Sequence, residues 1–232
     1  MFHKTKGILL RKTKLSNGGY MLKYFTENFG IKTYFGRISK KEKNAYLPLS
    51  IANITAYDQP KKTIHTIKDY ELFSPLRSVY QDIYKSNVLI FINEVLNYII
   101  QEEEANKEKY QFLEYMIIQL EKEPFNSNFH LLFLMKLTSF IGIEPNLDSD
   151  RHYFDMEEGD LTNTIPIHSN FFDSDETVLF KTIYQNSIEN KSSFKLTNTQ
   201  RKRTLQLLVT YYRYHTDMRE LKSLPVLEMV FN

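Results

Sequence analysis

The spacing of apolar residues changes period at Ser74-Pro75, and a chain whose hydrophobic repeat switches once in this way folds as a β unit followed by a helical one. From Thr5 to Phe73 runs of β-branched and aromatic residues alternate with turn chemistry and show no helical period. This predicts five strands, at about Lys6–Thr13, Gly19–Thr26, Ile31–Ile38, Leu47–Tyr57 and Thr63–Phe73. Ser16-Asn17-Gly18-Gly19 suits a hairpin turn, and Gly30 and Gly36 suit bends within the meander. A five-stranded sheet of this size must close or be covered to hide its edges, so residues 1–74 are expected to form a small barrel of OB or SH3 type.

Ser74 and Pro75 suit the N-cap and first position of a helix. Beyond them Tyr80, Ile83, Tyr84, Asn87, Val88, Phe91, Val95, Tyr98 and Ile99 recur at intervals of three and four, the stripe of one long helix ending near Glu102-Glu103-Glu104. Further helices are expected at about Lys107–Glu121, Asn128–Ile141, Asp175–Ile188, Gln200–His215 and Pro225–Val230. Between them, residues 145–173 read as an irregular loop too polar for a buried element. The fold class is therefore α+β, with a barrel over residues 1–74 and a helical domain over 75–232.

Charge divides along nearly the same line. Residues 1–80 hold 15 Lys and Arg against five acids, whereas the remainder hold 15 against 23. A cationic module fused to an anionic one points to a polyanion-binding head on a body that meets other partners. No cysteine is present, which excludes disulfides, thiolate catalysis and Cys-based metal sites. Met1 to Leu10 lacks a secretory apolar region, and the most apolar stretch, Leu131–Ile143, is interrupted by Lys136 and falls short of the ~18 residues a membrane span needs. A soluble, cytoplasmic protein is expected.

Aromatic and basic residues interleave in the barrel, which suits base stacking beside phosphate neutralisation. The candidate nucleic-acid contacts are Arg11, Lys14, Lys23, Tyr24, Lys32, Tyr34, Arg37, Lys40, Lys41 and Lys43, the last four in or beside the basic loop Gly36–Asn44. In the helical domain Thr197-x-x-Gln200 is a capping box, and it sets Arg201-Lys202-Arg203 near the positive end of a helix dipole, where an anionic partner explains them better than folding does. Asp148, Asp150, His152, Asp155, Glu157, Glu158, Asp160 and His168 lack the spacing of a metal site. No nucleotide-binding glycine loop or nucleophile elbow occurs, so no catalytic residue, metal or cofactor is expected. The competing readings are a protein adaptor whose basic barrel docks an acidic surface, and a metal-dependent nuclease.

With these residues in view, the chain resembles the RecO family of bacterial recombination mediators over nearly its full length. Thr5-Lys6-Gly7-Ile8-Leu9-Leu10, Phe25-Thr26-Glu27-Asn28-Phe29-Gly30 and Gly36-Arg37 with Lys40-Lys41 match its N-terminal pattern. Phe140-Ile141-Gly142-Ile143-Glu144-Pro145-Asn146-Leu147, Phe154-Asp155 with Glu158-Gly159, and Tyr214-His215 with Leu221–Leu224 match later segments. The resemblance implies an OB-fold and a helical domain that bind single- and double-stranded DNA and anneal complementary strands. It also implies cooperation with RecR to load RecA onto DNA coated by single-stranded-DNA-binding protein (SSB). The acidic, Phe-ended SSB tail needs an apolar groove rimmed by cations, for which Lys136, Arg201 and Arg203 are the candidates. Many relatives carry a four-cysteine zinc knuckle after the helix end that Phe140–Leu147 matches; here Tyr153–Phe172 must hold its shape by other contacts. The family's Tyr-x-Glu turn is replaced by Leu15–Gly19.

Overall fold

The computed structural model describes residues 2–16, 18–37, 46–57, 63–101, 104–189 and 194–231. Five strands, β1 (Phe2–Lys14), β2 (Tyr20–Thr26), β3 (Gly30–Gly36), β4 (Ile51–Tyr57) and β5 (Ile64–Ser74), close into a barrel of order β1-β2-β3-β5-β4. Every pairing is antiparallel except β3 with β5, which run parallel and complete the ring. That order is the OB-fold. Its interior is filled by Leu9, Leu22, Tyr24, Tyr34, Ala52, Ile54 and Ala56, all buried. Gly30 turns β2 into β3 at φ +63°, in a loop where the Thr26 hydroxyl donates to the Gly30 carbonyl at 2.8 Å. Gly19 is required by contact instead, because a Cβ there would meet the Phe35 ring at 2.3 Å.

β1 is longer than its sequence pattern predicts and starts four residues earlier, pairing Phe2 with Tyr57 and Lys4 with Thr55. It also carries a bulge. Leu9 opposes Tyr24 and Arg11 opposes Lys23, so Leu10 is an extra residue and the faces swap after it. A second irregularity in β5 falls between Ile67, opposite Ala56, and Asp69, opposite Thr55, leaving Lys68 outside the regular register.

The expected helix start at Ser74-Pro75 is displaced, since Ser74 is the last residue of β5 and pairs with Ile51. The long helix expected from Tyr80 is two. A short α1 (Arg77–Gln81) stops at Asp82, which then caps α2 (Ile83–Ile99) by accepting hydrogen bonds from the Tyr84 and Lys85 amides at 2.8 and 3.1 Å. α3 (Lys107–Lys122) locks onto both. Its Glu121 carboxylate accepts from the Ser78 and Val79 amides at 2.9 Å each, satisfying the open donors of α1. In return the buried Lys85 amine donates to the Glu121 and Glu123 carbonyls at 3.2 and 2.7 Å, capping the C-terminal end of α3. Phe25, which alternation places on the barrel's outer surface, is nonetheless fully buried, packing 6.1 Å from the Tyr110 ring of α3. The chain accordingly divides into compact units at Pro124, later than the change in sequence period at residue 74.

The second unit, from Phe125, contains α4 (Phe129–Phe140), strands β6 (Tyr153–Asp155), β7 (Asp160–Thr162) and β8 (Phe171–Phe172), α5 (Ser174–Ile188), α6 (Asn198–His215) and α7 (Leu224–Val230). The segment expected to be polar loop carries buried structure after all. β7, β6 and β8 form a small antiparallel sheet, and one residue of each strand (Phe154, Leu161, Phe172) is buried. Phe154, Phe172, Phe180 and Tyr211 pack as tilted and edge-to-face rings with centroids 5.1–5.7 Å apart. Around them the Tyr211 hydroxyl donates to the Ile143 carbonyl at 2.9 Å, and the His215 ring meets the Met156 carbonyl at 2.7 Å. An aromatic cluster thus shapes this segment without cysteine.

Candidate nucleic-acid interface

The described barrel cations chosen from sequence, Arg11, Lys14, Lys23, Lys32 and Arg37, lie on or at the end of three adjacent strands. Arg11 and Lys23 face each other across β1 and β2 on the barrel's exterior, with Thr33 next in the same row. The Lys23 ammonium is held below its usual range by partial burial and, second, by the Arg11 guanidinium. Like charges directly opposed on a sheet cost stability. Lys14 pairs with Tyr20, and Tyr20 with Gly36, so Lys14, Tyr20 and Arg37 cluster at one strand end. There the last four residues of β1, Arg11 to Lys14, are all exposed, and Lys12, absent from the sequence-based set, lies 5.9 Å over the Tyr20 ring. Lys32 shares a strand face with buried Tyr34 but is itself half-exposed. Lys40, Lys41 and Lys43 fall outside the described residues.

Tyr24 and Tyr34 require correction as base-stacking candidates. Both are fully buried, with rings 5.8 Å apart, and Tyr34 bonds His3 through its hydroxyl at 3.1 Å. Burial, with Tyr70 second, pushes the Tyr24 hydroxyl far above its normal range. These rings are barrel core because strand alternation points them inward beside Leu22 and Ile54. Tyr24→Phe is therefore expected to leave oligonucleotide affinity unchanged, whereas Tyr24→Ala costs about 3–5 kcal/mol of stability in a denaturant titration.

In the second unit the three expected tail contacts separate. Arg201 is buried, its guanidinium donating to Asn128 Oδ1 at 3.1 Å, Asn198 Oδ1 at 2.8 Å and the Leu196 carbonyl at 3.1 Å. Arg203 is exposed and pairs with Glu176 of α5. Lys136 is half-buried on α4, its amine lowered by burial. Arg201 does line a groove between α6 and α7, together with Lys202, Leu205, Leu227 and Phe231, and Lys202 pairs there with Glu228 at 3.2 Å.

His168 lies 3.2 Å from Asp155 and 3.6 Å from Glu157. Among the described residues no three His, Asp or Glu side chains converge as a metal ion would need, and no helix is long and apolar enough to cross a membrane.

A closed OB barrel with cations on adjacent strands, joined to helices and a second helical unit, defines the class of OB-fold proteins with a helical C-terminal region. Residues 1–76 match the family of the recombination protein O N terminal domain and residues 80–225 that of the recombination protein O C terminal domain. The chain belongs to the RecO family of DNA repair proteins. It is 35% identical to the DNA repair protein RecO of Flavobacterium psychrophilum, with 99% of each chain covered. It is also 32% identical to that of Bacteroides fragilis over 100% of both, and 26% identical to that of Porphyromonas gingivalis over 91% of both.

Proposed function

We propose that the chain is a non-enzymatic mediator that binds single-stranded DNA on the β1–β2–β3 side of its barrel and brings complementary strands together. The Arg11–Lys23 pair carries this reading. Two cations opposed on an exposed sheet face are unfavourable alone and favourable against a phosphate backbone, where each neutralised phosphate releases counterions. Lys14 and Arg37 extend the same charge to the strand end. As in the DNA repair role of its family, the protein would work with RecR to load RecA onto SSB-coated strands. The SSB tail would enter the groove beside Arg201 and Lys202, with Leu205, Leu227 and Phe231 as its apolar floor. Double-stranded DNA is a second substrate through the same backbone contacts.

Annealing of two complementary oligonucleotides coated with single-stranded-DNA-binding protein tests the proposal. The expected result is faster annealing at stoichiometric protein, unchanged by chelator. No acceleration points to an adaptor, and strand shortening that requires metal points to a nuclease.

A further inference from the structure

The barrel carries an aromatic and cationic patch apart from the cations above. Phe2 and Tyr57 pair across β1 and β4, yet remain 53% and 44% exposed. Their rings meet edge to face, centroids 5.3 Å apart at 71°, an arrangement that leaves ring surface open to solvent. The irregularity in β5 that displaces Lys68 from the register aims its ammonium 4.3 Å over the Phe2 ring. Lys4 follows Phe2 on the same face of β1, and neither Lys4 nor Lys68 forms an ion pair among the described residues. By contrast Lys6, also set over an exposed ring (Phe73, 3.9 Å), is already paired with Glu114 at 2.7 Å.

We infer that Phe2, Tyr57, Lys68 and Lys4 form a base-stacking subsite for single-stranded nucleic acid, in which a base lies on the open aromatic surface and Lys68 and Lys4 face the flanking phosphates. Two observations select this occupant. Cations with no acid partner among the described residues, set beside the rings, complement a polyanion, and open π-faces suit any base, since stacking is tolerant of sequence. An acidic peptide would satisfy the cations but would leave the rings without a planar partner. The inference rests on the DNA-binding reading above and adds a contact to it.

The chain contains no tryptophan, so Tyr57→Trp supplies a single reporter. Titration of that variant with a short oligothymidylate is expected to quench its emission, with affinity retained. In the otherwise wild-type protein, Phe2→Ala combined with Tyr57→Ala is expected to weaken oligothymidylate binding by roughly 5- to 150-fold, the usual range for loss of a stacked base. Affinity of the double alanine variant within about twofold of wild type, together with unquenched indole emission from the Tyr57→Trp variant at saturation, would overturn the subsite while leaving the Arg11–Lys23 surface standing. Quenching by a poly-glutamate peptide but not by the oligonucleotide would overturn it in favour of a protein ligand. Absence of binding by the wild-type chain would overturn both.

Discussion

Replacing Arg11, Lys14, Lys23 and Arg37 together by alanine flattens the dependence of log K on log salt for single-stranded DNA by about 3, at roughly 0.7 per phosphate neutralised. Three of these side chains are exposed and Lys23 is half-buried, so the variant retains the barrel core of Leu22, Tyr24 and Ile54. Its stability should move in the opposite direction to its affinity. Arg11 and Lys23 repel each other across β1 and β2, and removing that repulsion raises the unfolding free energy by about 0.2–1 kcal/mol. Binding titrations across a salt series and a denaturant melt of the same preparation read both quantities. A slope unchanged from wild type would show that the β1–β2–β3 surface does not contact the phosphates.

Acid destabilises the second unit through His130. This side chain is almost completely buried on α4, its ring 5.2 Å from that of Phe231, and its pKa is pushed down to about 3, first by burial and then by the Arg201 charge. In the unfolded chain the same imidazole takes up its proton near pH 6.5. Between those two values the unfolded state binds the extra proton, so stability is intact above about pH 6.5 and falls as pH drops toward 3, at about 1.4 kcal/mol per unit for this group. His130→Leu removes the step. Its cost relative to wild type at about pH 7 should therefore shrink by about 3 kcal/mol at about pH 4.5, since only wild type loses stability through this residue. Urea titrations of both proteins at the two pH values measure the difference. A constant gap would mean that the ring is already protonated in the fold or that it exchanges with solvent.

Sequence made the barrel legible because its strands alternate and its turns carry glycine, and it made α3 to α7 legible because their stripes are regular. What stayed hidden depended on contacts distant in sequence. Asp82 is a good N-cap, but the apolar stripe runs on through it, and the break there is secured by Glu121 of α3, far along the chain. Ser74 has good capping chemistry, but the ladder with Ile51 claims it for β5. Residues 153–172 are polar on average, and average polarity conceals the burial of Phe154, Leu161 and Phe172, one on each short strand.

The candidate surface was legible in charge and not in direction. Tyr24 and Lys23 are neighbours in sequence with opposite fates, one inside the barrel and the other facing Arg11. Alternation shows that they diverge, and only the closed ring shows which of them is inside. The place of Phe2 on the barrel stayed hidden for a different reason: the pattern of alternating residues begins at Lys6, and the pairing that extends β1 back to Phe2 is supplied by β4.

The surplus residue at Leu10 sets the phase of everything that follows on its strand. Straightening of the bulge, with Leu10 drawn into the ladder opposite Lys23, would carry Arg11 and Lys12 to each other's side of the ribbon and, in the same stroke, turn Thr13 and Lys14. The bulge thus decides which cations at the end of the first strand look outward, and a change that flattened it would reach further than the exchange of any single side chain along the ribbon.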